Sequence, residues 1–293
     1  MYDIAEYFEA GSVEEAVDLL RANPAARLIA GGSDLLIKIR KGKIPEAILI
    51  SIRRIPGLKG VSLEGDGSIV IGSCTTFSQI TSHPVIQEKV PVLGEAVEKV
   101  GGPQIRNVGT IGGNICNGAP SADSAPTLLA LDAMLRIQGA DGLRVASIRD
   151  FYKGPGKVGL SRDEILTAIV ITPENYRGFG GHYIKFAMRN AMDIATLGCA
   201  VTCRLRDKKI VEDFRLALGV AAPTPVRCPR TEELVKGKIF SEELLLEAGK
   251  TAVTEVSPRT SWRASREYRL QLVEELSKRA FIKAFANAGG EMR

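Results

Sequence analysis

Histidine, cysteine and tryptophan are scarce in this chain of 293 residues, which contains two, five and one of them respectively. An iron–sulfur cluster usually takes four cysteine thiolates, two or three of them closely spaced, but only Cys199 and Cys203 are neighbours here. His83 and His182 add no cluster of ligands, so we expect no metal site. The odd number and wide spacing of the cysteines predict a reducing compartment rather than a disulfide framework.

Long apolar runs and segregated charge are also missing. No apolar stretch is long enough to span a bilayer, and Met1–Glu6 has neither the basic run nor the apolar core of an export signal. We therefore expect a cytoplasmic protein without membrane contact. The net charge is +5, but 39 basic residues are scattered among 34 acidic ones, which argues against a nucleic-acid surface.

The chain divides into two predicted domains, and its length allows a core in each. The capping-box sequence Thr76–Gln79 predicts the start of a helix, and an apolar run predicts a buried strand over Ile165–Ile171. The glycine-rich, polar stretch Glu174–Gly181 follows that strand and holds the predicted boundary. The two domains therefore span residues 1–176 and residues 177–293, the second with three strands followed by two helices.

Two glycine-rich segments carry most of the functional information. We call Arg27–Asp34 the first glycine loop and Gly109–Gly113 the second glycine loop. Paired glycines let backbone N–H groups turn toward a bound anion with no Cβ in the way, so two converging loops predict a pyrophosphate-binding nucleotide site. Ordinary turns remain the alternative, because neither loop has the three spaced glycines of a Rossmann motif and the chain lacks a Walker lysine motif.

Several motifs spread along the chain point to one family. They are Gly102–Asn107, Gly109–Pro126, Gly154–Val158, Asp163–Leu166, Lys185–Arg189, Gly219–Pro225 and Ser261–Ser265. Together they resemble the FAD-binding subunits of molybdenum hydroxylases over nearly the whole chain, and in particular those of bacterial xanthine dehydrogenases. The resemblance implies an α+β fold: a vanillyl-alcohol-oxidase-type (PCMH-type) FAD-binding domain of two α/β subdomains, then a small α+β domain of the CO dehydrogenase flavoprotein type.

The resemblance also implies noncovalently bound FAD and the residues that hold it. The two glycine loops would bind the phosphates, and Asp123 would accept hydrogen bonds from FAD hydroxyls. Ile165 and Leu166 would lie by the adenine end, and Lys185 would lie at the flavin site. The full expected set is Arg27, Leu28, Ile29, Ala30, Gly31, Gly32, Ser33, Asp34, Gly109, Thr110, Ile111, Gly112, Gly113, Asp123, Ile165, Leu166 and Lys185. From the residues alone, Asp123 is also a candidate helix N-cap, and Lys185 an ordinary surface lysine.

No constellation of acid, base and nucleophile stands out, so no catalytic residue is predicted. For Cys116, passive lining of the site competes with a nucleophilic role. The resemblance implies that substrate is oxidised in another chain: a large partner subunit holds the molybdenum cofactor, a small one holds [2Fe-2S] clusters, and the flavin is the exit to NAD. The expected assembly is a heterotrimer of these subunits or its dimer.

Two features favour the xanthine dehydrogenase branch. The second glycine loop continues to Asp123 without the cysteine-rich insertion of the 4-hydroxybenzoyl-CoA reductases, and Ser33 stands where carbon monoxide dehydrogenase relatives tend to place histidine. Three alternatives stay open: the flavoprotein subunit of a carbon monoxide, aldehyde or N-heterocycle dehydrogenase, a self-contained flavin oxidase, and a nucleotide-binding scaffold without a redox role. Such an oxidase often tethers FAD through histidine, and neither His83 nor His182 lies in a glycine loop.

Overall fold

The computed structural model describes residues 2–291, so Met1 and the last two residues of the predicted second domain lie outside the described residues. The strands are β1 Ile4–Glu9, β2 Arg27–Ile29, β3 Ala47–Ser51, β4 Val61–Leu63, β5 Ile69–Gly72, β6 Met134–Gly139, β7 Gly142–Ser147, β8 Tyr152–Gly154, β9 Lys157–Val158, β10 Ile165–Ile171, β11 Phe179–Phe186, β12 Leu197–Arg206, β13 Ile210–Gly219 and β14 Val226–Arg227. The α-helices are α1 Val13–Ala22, α2 Leu35–Arg40, α3 Phe77–Ser82, α4 Pro84–Lys89, α5 Pro91–Glu98, α6 Pro103–Arg106, α7 Ile111–Cys116, α8 Ser124–Ala130, α9 Pro229–Val235, α10 Glu242–Val253 and α11 Arg266–Asn287.

Three sheets form the framework. The first is parallel, with the order β1-β3-β2, and the second is antiparallel, with the order β4-β5-β10-β6-β7. Helices pack beside both, which gives the two α/β subdomains that the family resemblance implies. The third sheet, β11-β12-β13-β14, is antiparallel and carries α11 on β11 and β12, with α10 against α11. This is the predicted small α+β unit.

Two local predictions are confirmed closely. The apolar run Ile165–Ile171 is the central strand β10, buried except for the half-buried Thr167, because both of its faces are covered. At α3 the capping box is complete, since the Thr76 hydroxyl accepts from the Gln79 N–H while the Gln79 side chain accepts from the Thr76 N–H.

The second glycine loop differs from its prediction. Gly112 and Gly113 are not in a loop but in the first turn of α7, and the Thr110 hydroxyl caps that helix by accepting from the Gly113 N–H at 3.2 Å. In the first glycine loop, Arg27–Ile29 form β2, and the remaining residues, 30–34, are the loop that connects β2 to α2. The two glycine loops therefore differ in backbone structure, since the second begins a helix and the first does not.

Helix α8 connects the residues before β11 to the third sheet through packing contacts. All of its residues are buried, and it packs on β12 and β13. Just beyond it, Asp132 forms ion pairs with Arg149, Arg215 and Arg227, the last two from the third sheet. These guanidinium partners outweigh the effect of partial burial and hold the pKa of Asp132 below its usual value. None of the helices formed by residues 2–291 has the length and apolar composition needed to cross a bilayer.

Candidate nucleotide-binding site

A cavity of about 570 Å³ lies between the two glycine loops. Its size falls in the range of small-molecule sites, roughly 300–1,000 Å³. All eight residues of the first glycine loop line it, with Ile165 and Leu166 of β10 and every residue of the second loop except Ile111. Ile111 is instead buried in the core. We call this space the cofactor cavity, and it brings together most of the residues expected from the sequence.

The first glycine loop offers free backbone donors to the cofactor cavity. The N–H groups of Gly31, Gly32, Ser33 and Asp34 donate to no acceptor among residues 2–291. Gly32 has a φ of +73°, a left-handed conformation that glycine adopts without strain. Successive free N–H groups around a left-handed residue form a concave anion-binding surface. These free donors and the left-handed Gly32 suit the phosphate binding predicted for this loop.

The second glycine loop does not supply free donors in the same way. Its N–H groups bond within the protein: Gly109 to the Ile105 carbonyl, Ile111 to Thr75, Gly112 to Ser73 and Gly113 to the Thr110 hydroxyl. A Cβ on Gly112 would lie 2.6 Å from the Ser73 carbonyl oxygen, so glycine permits close packing there. Most N–H groups of the second loop are therefore engaged within the protein, and its glycines form a close wall of the cavity. That this loop lies at the phosphates stays a prediction.

The two loops touch directly. A Cβ on Gly31 would lie only 2.1 Å from the carbonyl oxygen of Val108, the residue before the second loop. Across the same cavity, the Lys38 ammonium of α2 donates to the Asn117 side-chain oxygen at 2.9 Å, and both residues line the cavity. Lys38 is a functional candidate that sequence reasoning missed. The sequence could have indicated Lys38 only through its position, since it lies one helical turn after Asp34, in the helix that follows the first glycine loop.

The side chains that line the cofactor cavity carry more positive than negative charge. Arg27, Lys38 and Arg162 line it, against the carboxylates of Asp34 and Glu164. One carboxylate is engaged elsewhere, because Glu164 forms a bidentate pair with Arg144 at 2.5 and 2.7 Å. The hydrogen bonds from Arg144, with a smaller contribution from the Ser161 N–H, lower the pKa of Glu164. The remaining surface favours an anionic ligand.

The pair between Arg144 and Glu164 gives a pH-dependent prediction. We expect Arg144→Gln to lower the free energy of unfolding by about 1 kcal/mol at neutral pH, the upper range for a partly exposed pair. Because the pKa of folded Glu164 is lowered, the pair stabilises the fold above the unfolded Glu pKa of about 4.3 and is lost as the pH falls through the lowered value. Urea unfolding of both proteins across this range should show the difference shrinking in acid. A difference that stays constant would contradict the assignment.

Asp123 and Lys185 form a buried ion pair beside the cofactor cavity, and neither lines it. The Lys185 ammonium lies 2.9 Å from the Asp123 carboxylate and also donates to the Lys99 carbonyl, while the Tyr183 hydroxyl donates to the second Asp123 oxygen at 2.8 Å. Burial raises the pKa of Asp123, and these two partners oppose the rise. The Asp123 side chain makes no N-cap hydrogen bond, and Lys185 is not an ordinary surface lysine.

The cysteines in the cavity wall are unsuited to nucleophilic work. Burial raises the pKa of the Cys74 thiol to about 11 and that of Cys116 to about 12, so both remain protonated near neutral pH. Cys116 is therefore a lining residue. Over residues 2–291, no group of three or more His, Cys, Asp or Glu side chains is arranged to hold a metal ion.

Comparison with known proteins gives the class of the chain. The sequence model described as the FAD binding domain in molybdopterin dehydrogenase matches residues 3–174, and the one described as the CO dehydrogenase flavoprotein C-terminal domain matches residues 182–284. The chain therefore belongs to the FAD-binding subunits of the molybdenum hydroxylase family. The fold expected from the resemblance, a PCMH-type FAD-binding domain followed by a C-terminal α+β domain, is confirmed.

Individual relatives are similar over almost their whole lengths. The chain is 43% identical over 293 residues to the xanthine dehydrogenase FAD-binding subunit of Escherichia coli O157:H7, with 100% of each chain covered. It is 34% identical over 282 residues to the carbon monoxide dehydrogenase medium chain of Hydrogenophaga pseudoflava, covering 96% of this chain and 97% of the relative. A structure of that carbon monoxide dehydrogenase, lacking the Mo-pyranopterin moiety of the molybdenum cofactor, matches with a TM-score of 0.93 and 33% identity, covering 98% and 99% of the two chains.

Proposed function

We propose that this chain is the FAD-binding electron-transfer subunit of a cytoplasmic xanthine dehydrogenase. In this role it would take electrons from the [2Fe-2S] clusters of a small partner subunit and deliver them to NAD during purine oxidation. The molybdenum cofactor would lie in a large partner subunit, in a heterotrimer or its dimer. The observation that carries the proposal is the cofactor cavity, which is lined both by the first glycine loop with its free N–H groups and by the closely packed glycines of the second.

The residues around the cofactor cavity fit FAD. Gly31 to Asp34 would bind a phosphate through backbone N–H groups, and Lys38 would add a positive charge. The second glycine loop would let the ligand approach closely, and Ile165 and Leu166 would contact its adenine end. Asp123 and Lys185 pair with each other outside the cavity wall, so their proposed roles at the FAD hydroxyls and the flavin end require the ligand to reach beyond the cavity as it stands. When bound, the flavin supplies two-electron and one-electron redox chemistry that no side chain provides. The chain's own part is to bind, orient and shield it.

The choice of xanthine dehydrogenase within the family rests on similarity. Identity to the xanthine dehydrogenase subunit is 43%, against 34% for the carbon monoxide dehydrogenase chain. Ser33 in the first glycine loop and the missing cysteine-rich insertion favour the same branch. A flavoprotein subunit of a carbon monoxide, aldehyde or N-heterocycle dehydrogenase is the second candidate, because those relatives share the fold.

The division into domains at residue 176 is part of the same proposal. The family matches end at residue 174 and resume at residue 182, and the third sheet begins with Phe179. These observations support one domain over residues 1–176, which contains every residue that lines the cofactor cavity, and a second over residues 177–293.

Activity measurements on the separated and assembled subunits test the function. We expect the purified chain alone to form no urate from xanthine and NAD, because its cavity offers no catalytic constellation for oxidising a purine. Addition of the molybdenum and iron–sulfur subunits should give urate and NADH in equal amounts. Sustained urate formation by the isolated chain, without molybdenum or iron, would contradict the electron-transfer role. An assembled complex that oxidises carbon monoxide or an aldehyde but not xanthine would favour the second candidate.

A further inference from the structure

A second cavity, of about 390 Å³, is bordered by three arginines and no carboxylate. Arg259, Arg263 and Arg269 line it, together with the hydroxyl-bearing residues Ser121, Ser257 and Ser261. Among the described residues, none of the three arginines forms a salt bridge. We call this space the arginine cavity. Three cations around one small cavity repel each other, and a bound anion would relieve that repulsion.

Arg269 is the most unusual of the three, because it is only 2% exposed. It donates to the Arg259 carbonyl at 2.8 Å and to the Ser261 hydroxyl at 2.9 Å, which leaves its charge without an anionic partner. Its Nε and that of Arg263 are buried and donate to no acceptor in residues 2–291. Burial and the charges of its two neighbours lower the pKa of Arg269. Buried charges are normally paired, so an unpaired buried guanidinium indicates a missing anion.

The backbone beside the arginine cavity is strained. Val220 has a φ of +64°, which is a rare conformation for a β-branched residue, and its N–H donates to the Pro120 carbonyl at 3.0 Å. Val220 and Pro120 both line the cavity. Strained backbone of this kind concentrates at ligand sites, where the surrounding structure holds it. The motifs Gly219–Pro225 and Ser261–Ser265, which the cofactor cavity does not use, meet here.

The arginine cavity adjoins the cofactor cavity. Pro155 lines the arginine cavity, and the next residue, Gly156, lines the cofactor cavity. Similarly, Asn117 borders the cofactor cavity and Pro120 the arginine cavity. The two cavities therefore share the segments at Asn117–Pro120 and Pro155–Gly156 as parts of their walls.

We propose that the arginine cavity binds a phosphate group of a small molecule. Guanidinium groups recognise phosphate oxygens through paired hydrogen bonds, and the serine hydroxyls can add further donors. Ile194 and Pro223 on the wall would contact an organic part of the same molecule. If the proposed function holds, the phosphate belongs to the dinucleotide acceptor; the other source is free phosphate or pyrophosphate.

Titration of inorganic pyrophosphate into the FAD-loaded protein tests the site without relying on NAD. The test variant is the double substitution Arg259→Gln, Arg263→Gln, which spares the buried Arg269. The control is Arg266→Gln, Lys283→Gln, which removes the same charge from exposed positions of α11 that do not line the cavity. We expect the test variant to bind pyrophosphate about tenfold to hundredfold more weakly than wild type, from the loss of charged hydrogen bonds, and the control to bind it normally.

Three results would overturn the proposal: no pyrophosphate binding by the wild type, equal weakening in the test and control variants, or loss of FAD from the test variant alone. The last would show that the arginine cavity is part of the cofactor site. Competition with NADH then identifies the source of the phosphate. Displacement of pyrophosphate by NADH supports the dinucleotide, whereas binding without displacement supports a free phosphate ligand. If the assembled enzyme fails to reduce NAD, that result contradicts the proposed function but does not change the conclusion from the pyrophosphate titration.

Discussion

Substitution of Gly31 by alanine should remove most of the bound FAD. The added Cβ would lie 2.1 Å from the Val108 carbonyl oxygen and 2.8 Å from its carbon, so the first glycine loop must move away from the chain that enters the second. Both neighbours are backbone atoms and cannot rotate aside. Overpacking of this kind costs about 1–3 kcal/mol. If the strain is present when FAD is bound and relieved when FAD leaves, this energy corresponds to roughly a tenfold to hundredfold loss of FAD affinity.

Flavin fluorescence titration of the stripped protein measures this affinity, and thermal unfolding measures the stability. The matched control is Gly65→Ala, because a Cβ on Gly65 meets no atom within 4 Å. We expect the control to bind FAD like the wild type. If Gly31→Ala keeps both wild-type affinity and wild-type stability, the close contact between the two loops does not shape the cofactor cavity.

Substitution of Gly113 by aspartate should weaken FAD binding by about a hundredfold. Gly113 lines the cofactor cavity, and a carboxylate there at about 5 Å from a phosphate charge costs on the order of 3 kcal/mol at an effective dielectric constant near 20. That energy corresponds to roughly two powers of ten in affinity. The Cβ itself would meet the Thr110 hydroxyl at 2.9 Å, so part of any effect is steric.

The isosteric variant Gly113→Asn separates charge from shape. It introduces the same steric contact with Thr110 without the negative charge, so its FAD affinity should lie well above that of the aspartate variant. Salt should narrow the gap between the two, because screening weakens the repulsion. Equal affinities for the two variants would place the phosphates away from the second glycine loop.

The glycine loops illustrate what sequence can and cannot predict. Their glycine pairs and flanking polar residues indicated a nucleotide site, and both segments do line one cavity. The helix α7 was not predicted, because two consecutive glycines disfavour a helix locally. Contacts distant in sequence overrule that tendency: the Gly112 N–H donates to Ser73, and Thr110 caps the helix. These contacts engage the Gly112 and Gly113 N–H groups, which the glycine pattern predicted to be free for the ligand.

Pairings between distant charged residues were also invisible in the sequence. Asp123 and Lys185 are separated by 62 positions and pair only because α8 packs on the third sheet. Arg269 lies at helical spacing from the buried Val273 and Leu276, but a charged residue type argues against burial at that position. Such side chains depend on the tertiary arrangement, whereas capping boxes and apolar strands depend on neighbours a few residues away. This explains why Thr76–Gln79 and Ile165–Ile171 were predicted closely.

Acid denaturation of the purified chain tests the central claim, that the two glycine loops hold FAD noncovalently. We expect a yellow protein that gives a colourless pellet and releases one FAD per chain into the supernatant. The reason is that neither His83 nor His182 lines the cofactor cavity, and the protonated Cys74 and Cys116 thiols there are poor nucleophiles. A yellow pellet, or FMN in place of FAD in the supernatant, would contradict the account.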